Sequence, residues 1–161
     1  MSYSSSSFLS KSIPHWRYDV FMSFRGKDTR RNFISHLYSA LANAGVHAFL
    51  DDEKLPKGQE LKSDLFHAIE GSQIFVVVFS QNYIHSTWCL DELVKIMKCH
   101  ASRGQVVLPV FYDIVPSFLR DLQDISFEVI LEKDGDPHLM KQWKNALTEA
   151  ANLVGWDVRN Y

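Results

Sequence analysis

Apolar positions in this chain fall into short dense runs, separated by longer stretches in which they recur at helical spacing. The densest run, Ile74-Phe75-Val76-Val77-Val78-Phe79, is rich in β-branched residues and bounded by Ser72-Gln73 and Ser80-Gln81-Asn82. That pattern suits a strand buried on both faces. After a polar turn, Ser86-Thr87-Trp88-Cys89-Leu90-Asp91-Glu92-Leu93 opens a helix that keeps Leu90, Leu93, Val94 and Met97 on its core side and is broken at Gly104.

The other elements are arranged around this pair. Tyr18 to Phe24 reads as a first, aromatic-rich strand ended by Arg25-Gly26. Asp28 or Thr29 can cap a helix with Phe33, Leu37, Leu41 and Ala44 on its stripe and Gly45 as its stop. Val46 to Leu50 is the second strand, and Asp51 to Gly58 a polar loop containing Pro56. A helix over Gln59 to Glu70 turns Leu61, Leu65, Ala68 and Ile69 inward. Gln105 to Tyr112 is a fourth strand, in which Pro109 fits only where its missing amide proton is not needed, for instance at an edge or a bulge. Phe118, Leu122, Ile125 and Val129 mark a fourth helix, interrupted by Asp124 and Ser126; Trp143, Leu147, Ala150 and Val154 mark a last one after Gly135. A fifth strand is expected between these two helices, near Leu131 or after Pro137, where the pattern gives almost no signal.

Strand and helix alternate, which implies a parallel sheet with helices on both faces. The helix after the third strand then starts at the carboxyl edge of the sheet, where open α/β sheets hold ligands. Trp88 and Glu92 are four residues apart and share a helical face there. One carboxylate beside one large aromatic suits chemistry on a flat, charged substrate. Arg25, Lys27, Arg30 and Arg31 cluster at the turn after the first strand, on the same edge. Guanidinium groups and helix-start amides both favour phosphate. Charge alone also fits a solvated basic loop, Glu92 alone fits the positive end of its helix, and Trp88 alone fits a core position. The convergence of Arg25-Gly26, the loop to Gly58 and Trp88 to Glu92 on one edge favours a site.

Composition narrows the alternatives. With 161 residues, 46% of them apolar, the chain suits one well-buried domain. Residues 1–16, with Ser4 to Ser7, read as a disordered leader, residues 17–157 as the domain and 158–161 as a tail. A formal charge of -2 argues against general binding to nucleic acid or membrane surfaces. Cys89 and Cys99 would lie roughly 15 Å apart along one helix, too far to pair. No secretory signal, no myristoylation glycine, no long apolar run and no disulfide framework is evident, which points to the cytoplasm, with the nucleus also open. The seven histidines show no ligand spacing, so no metal is expected. Ser80, Ser86 and Cys89 have no evident His partner, and Gly26-Lys27-Asp28-Thr29 lacks the glycine and hydroxyl of a phosphate loop.

Tyr18-Asp19-Val20-Phe21-Met22-Ser23-Phe24-Arg25-Gly26-Lys27-Asp28-Thr29-Arg30 together with Ser86 to Leu93 resembles the plant branch of the Toll/interleukin-1 receptor (TIR) domain family. Leu108 to Asp113 and Ala146 to Leu153 are similar to later family segments. The resemblance covers most of residues 17–157. It implies a flavodoxin-like α/β fold with five parallel strands in order 2-1-3-4-5 and helices on both faces. It also implies cleavage of nicotinamide from NAD+, as substrate and not cofactor, to ADP-ribose or cyclic and variant cyclic products, in plant immune signalling and cell death. On matching positions, Glu92 is the implied catalytic residue, Ser86 and Trp88 line the site, and Arg25, Gly26, Lys27, Asp28, Thr29, Arg30 and Gly58 contact the dinucleotide. Ser35 and His36 match a self-association surface packed against the last helix. The implied partners are further copies or other TIR domains, and the nucleotide-binding and leucine-rich-repeat domains of a longer receptor.

The chain departs from the family at Val115 and Phe118, where Asp is usual, and in Asp121-Leu122-Gln123-Asp124-Ile125-Ser126-Phe127, which lacks the family's glycine. Two other readings compete. A non-catalytic TIR–TIR interaction module would use the same edge only to assemble. A phosphoacceptor receiver domain on a similar sheet would need Asp where Ser80 ends the third strand.

Overall fold

A computed structural model describes residues 16–26, 33–51, 59–121 and 137–158. The Ser-rich leader up to residue 15, the capping residues Asp28 and Thr29, the loop to Gly58, and Leu122, Ile125 and Val129 lie outside them. Five strands are present: β1 (Tyr18–Ser23), β2 (Ala48–Leu50), β3 (Ser72–Phe79), β4 (Val106–Tyr112) and β5 (Trp156–Val158). Among the described residues the helices are α1 (Ser35–Asn43), α2 (Gln59–Glu70), α3 (Thr87–Arg103), α4 (Pro116–Arg120) and α5 (Pro137–Ala151), with a 3-10 turn at Tyr83–His85. All strand pairs are parallel and the order is β2-β1-β3-β4-β5. This is the expected flavodoxin-like arrangement.

Alternation along the strands divides the core in two. Phe21, Phe75, Val77, Phe79, Val107 and Phe111 face one side, where they pack with α2, α3, α4 and α5 through Leu65, Ile69, Leu90, Leu93, Ile96, Leu119 and Leu147. Val20, Met22, Val76, Val78 and Val110 face the other side, where α1 supplies Leu37 and Leu41. Each large side chain fully removed from water contributes on the order of 2 kcal/mol, so the larger cluster dominates stability. The candidate carboxylate rides on α3, inside that cluster.

Local chemistry sets the element ends. Gly45 and Gly104 have positive φ of 80° and 74°, the left-handed stops that end α1 and α3. At the end of α2, the buried Gln105 amide donates to the carbonyls of Ile69 (3.1 Å) and Ser72 (2.6 Å). Across the surface, Lys95 on α3 donates to Glu70 on α2 at 2.6 Å. That hydrogen bond holds the Glu70 carboxyl below its usual range. A lowered folded-state value means stability that is present above about pH 4.3 and is lost as pH falls through the folded value. Lys95→Met is therefore expected to flatten the acid side of the stability profile, read as a smaller drop in urea midpoint between pH 5 and pH 3.

Several expectations are corrected. The fifth strand is neither near Leu131 nor just after Pro137; it follows α5 and reaches Val158, which the sequence reading put in the tail. Three residues with an exposed Trp156 leave no alternation to detect. On α4 the inward residue is Leu119, whereas Phe118 is exposed, because Pro116 starts a single short turn. Val154 lies beyond α5 and is 90% exposed, so the helix stripe stops at Ala150 and Ala151. Ala44 caps α1 at an exposed position. Pro109 sits in β4, between β3 and β5, not on an edge strand. Its carbonyl points at Gly155, immediately before β5, so its nitrogen faces the side where the β4–β5 ladder begins only at Val110 and Trp156. No ladder donor is lost.

Candidate active site

Helix α3 begins where the sequence pattern places it. Ser86 has extended backbone (φ -103°, ψ 111°), and its hydroxyl accepts from the Cys89 amide at 3.1 Å. Such a cap contributes about 1 kcal/mol. This is the first role of Ser86, which is buried beneath the helix start. The cap fixes the rotation of α3 and thereby aims the next two turns.

Trp88, in the first turn, is half-buried against the larger core cluster. Its indole N–H donates to the carboxylate of Asp51, the buried residue that follows β2. The Lys62 ammonium lies 5.8 Å from the Trp88 ring centroid and 2.5 Å from Asp91 Oδ2. The other Asp91 oxygen accepts from the Trp143 indole at 3.0 Å. Asp51 and Asp91 thus anchor two indoles, tying α3 to the end of β2, to α2 and to α5. Hydrogen bonds to charged groups contribute about 1.5–3 kcal/mol when sheltered. Asp51→Ala is expected to cost about that much in urea unfolding, and Asp51→Asn, which still offers an acceptor, distinctly less.

Glu92 lies one turn further and is 1% exposed. The Ser23 hydroxyl, at the end of β1, donates to Glu92 Oε1 at 2.8 Å. Ser23 Oγ is also 2.7 Å from the Tyr83 hydroxyl, and that hydroxyl lies 3.3 Å from the Cys89 carbonyl. The Cys89 thiol is buried and contacts the Phe24 carbonyl at 3.7 Å, and neither cysteine is in a disulfide. The carboxylate is therefore a buried group held by β1 and the 3-10 turn, not a surface charge at a helix end.

Arg25 and Gly26 follow Phe24 at the carboxyl end of β1, half-buried and on the edge from which Ser23 reaches Glu92. Lys27, Asp28, Thr29, Arg30 and Gly58 lie outside the described residues. Ser35 and His36 are exposed on α1. Within the chain they do not meet the last helix: α5 packs on α3 and α4, across the sheet from α1. Ser23, Tyr83 and Asp51 were not singled out from the sequence. The available signal was a polar residue at an inward position of an otherwise apolar strand, for Ser23, and an acid closing a strand, for Asp51.

On the outer flank of α3, a groove of about 250 Å³ is lined by Lys62, Phe66, Asp91, Lys95, Leu139 and Gln142 among others. It does not include Glu92. Among the described residues no group of three His, Cys, Asp or Glu is arranged to hold a metal ion, and no helix is long and apolar enough to cross a membrane.

A family model for the TIR domain matches residues 17–161. The chain belongs to the TIR-domain family. This TIR domain is 49% identical, over 94% of its length, to disease resistance protein RPV1 of Vitis rotundifolia, of which it spans 11%. It is 46% identical, over 91% of its length, to TMV resistance protein N of Nicotiana glutinosa, of which it spans 13%. Among solved structures it superposes on the TIR domains of the activated Roq1 resistosome with a TM-score of 0.76 and 46% identity, covering 87% of each chain. That resistosome is described as directly recognizing the pathogen effector XopQ. The TIR domain thus spans about an eighth or less of these two curated relatives.

Proposed function

We propose that this TIR domain cleaves nicotinamide from NAD+, yielding ADP-ribose or a cyclic or variant cyclic product, and that self-association activates it. The observation that carries the reading is Glu92: a carboxylate buried at the carboxyl edge of the sheet, hydrogen-bonded by Ser23 and one turn from an anchored indole. Taking a carboxylate out of water carries a desolvation cost, and a cost of this kind is retained where chemistry uses it.

The chemistry needs few groups. Nicotinamide is a cationic ring in NAD+ and departs as a neutral base, taking the electron pair of the C1′–N bond, so no general acid is required, unlike ordinary glycoside hydrolysis. The ribosyl cation left behind is stabilised by the negative charge of Glu92. Capture by water, with loss of a proton, gives ADP-ribose; capture by a nucleophile within the substrate gives a cyclic product. Trp88 offers a flat apolar face for a ring. Arg25 and Gly26, with Lys27, Asp28, Thr29, Arg30 and Gly58, supply charge and amides for the diphosphate, fixing position more than reactivity. Glu92 is closed off from water, so in this reading assembly opens the site to substrate.

The likeness to disease resistance proteins and to a resistosome's TIR domains supports a role in plant immune signalling and cell death. In this reading the chain works in the cytoplasm or nucleus, pairs with further TIR domains, and serves as one module of a longer protein with nucleotide-binding and leucine-rich-repeat domains. Ser35 and His36 on α1 are its self-association residues. The competing reading, a non-catalytic interaction module, draws on the same burial of Glu92, which then serves only as a core anchor. Nicotinamide release from concentrated protein, with Glu92→Gln alongside, decides between them. Release by the parent chain alone supports cleavage; equal release from both proteins, or none from either, leaves the interaction module. Mass spectrometry of the second product then identifies which ADP-ribose species forms.

A further inference from the structure

We infer that Ser23 and Tyr83 are positioning residues for Glu92, forming a buried hydroxyl relay that sets the direction of its carboxylate. The inference rests on the proposed role of Glu92, but it stands on its own geometry. Three polar side chains from three elements meet inside an apolar cluster: Ser23 at the end of β1 and Tyr83 in the 3-10 turn are 0% exposed, and Glu92 on α3 is 1% exposed. Around them lie Phe21, Phe79, Leu90 and Leu93. Polar groups at such a place each carry a desolvation cost unless they satisfy one another.

Proton counting gives the relay a direction. An ionised carboxylate only accepts, so the single Ser23 proton goes to Glu92 Oε1 at 2.8 Å. Ser23 Oγ must then accept across the 2.7 Å contact, and Tyr83 is the donor. The Cys89 carbonyl at 3.3 Å is the longer, secondary contact of that phenol. If Glu92 takes up a proton, every bond in the chain can reverse: Glu92 donates to Ser23, Ser23 to Tyr83, and Tyr83 to the Cys89 carbonyl. The relay therefore keeps the carboxyl group in one place in both charge states. Cys89 is also the residue whose amide Ser86 caps, so the relay's terminal acceptor is fixed by the helix cap.

Such a relay acts on the reacting carboxylate and donates nothing to the diphosphate. Ser23→Ala is expected to lower kcat for nicotinamide release about ten-fold, with the KM for NAD+ within about two-fold of the parent. Tyr83→Phe, which keeps the ring and removes only the hydroxyl, is expected to lower kcat by a smaller factor in the same direction. An independent reading comes from the 13C carboxyl resonance of Glu92 at neutral pH, assigned by its loss in Glu92→Gln. Ser23→Ala is expected to move that resonance clearly, and Tyr83→Phe to move it less, because its effect passes through Ser23. A resonance unmoved in both variants overturns the relay, whatever the activity. A moved resonance in a chain that releases no nicotinamide keeps the relay as geometry and removes the cleavage reading instead. A kcat that falls only in step with the unfolding temperature, with KM rising alongside, reduces both residues to packing and overturns the positioning role.

Discussion

Glu92→Gln is expected to lower nicotinamide release by about 100-fold or more, while the unfolding temperature holds or rises. The two halves of this expectation come from the same fact. A carboxylate 1% exposed has given up its hydration, and Ser23 donates a hydrogen bond to it. Glutamine keeps the shape and can still accept from Ser23, but it carries no charge to meet a ribosyl cation. Stability gained as activity is lost is the signature of a group kept for chemistry. Thermal denaturation and a nicotinamide assay on the same samples check it. A fall of several degrees in unfolding temperature would instead mark Glu92 as an anchor of the core, and unchanged release would remove its catalytic assignment.

Gly155→Ala is expected to destabilise the protein by about 3 kcal/mol or more, a loss of roughly 6–12 °C in unfolding temperature for a chain of this size. A Cβ at Gly155 would stand 2.3 Å from the Pro109 carbonyl oxygen and 2.7 Å from its ring, with Phe111 at 3.1 Å on the same side. The first of these is backbone within an inner strand and cannot swing aside. The cheapest relief is for β5 to leave the sheet, breaking the pairing of Val110, Phe111 and Tyr112 with Trp156, Asp157 and Val158. The Asp113 amide, which donates to the Val158 carbonyl at 2.9 Å, would be released with it. Faster hydrogen exchange at Asp113 and along β5 is the accompanying observation. An unchanged unfolding temperature with those amides still protected would show that the strand ends tolerate the side chain.

The elements legible in the sequence share one property: their signals are local. Ser86 and Gly104 bracket α3, Gly45 stops α1, and the stripe of Leu65, Ala68 and Ile69 marks α2, because capping and periodicity act between residues a turn apart. The apolar run ending at Phe79 announced β3 for the same reason. The strand β5 was misplaced because it is three residues long and exists only through its pairing with β4, a partner more than forty residues away. Phe118 is exposed where the stripe puts it inward, because one turn of helix has no period to read.

The site divides along the same line. Trp88 and Glu92 on one face of one helix, and that helix at the carboxyl edge of a parallel sheet, follow from spacing and alternation in the chain itself. What surrounds them does not. Ser23 reaches Glu92 across 69 positions and Tyr83 reaches Ser23 across 60, while Asp51 meets Trp88 from 37 away. The side-by-side pairing of β1, β2 and β3, with α3 packed on that sheet, brings these groups together, because hydrogen bonds of a few ångströms depend on strand register, which no local pattern encodes. The chain determined which acid and which indole stand at the edge; the tertiary structure decided that the acid is sealed from water and which hydroxyls hold it.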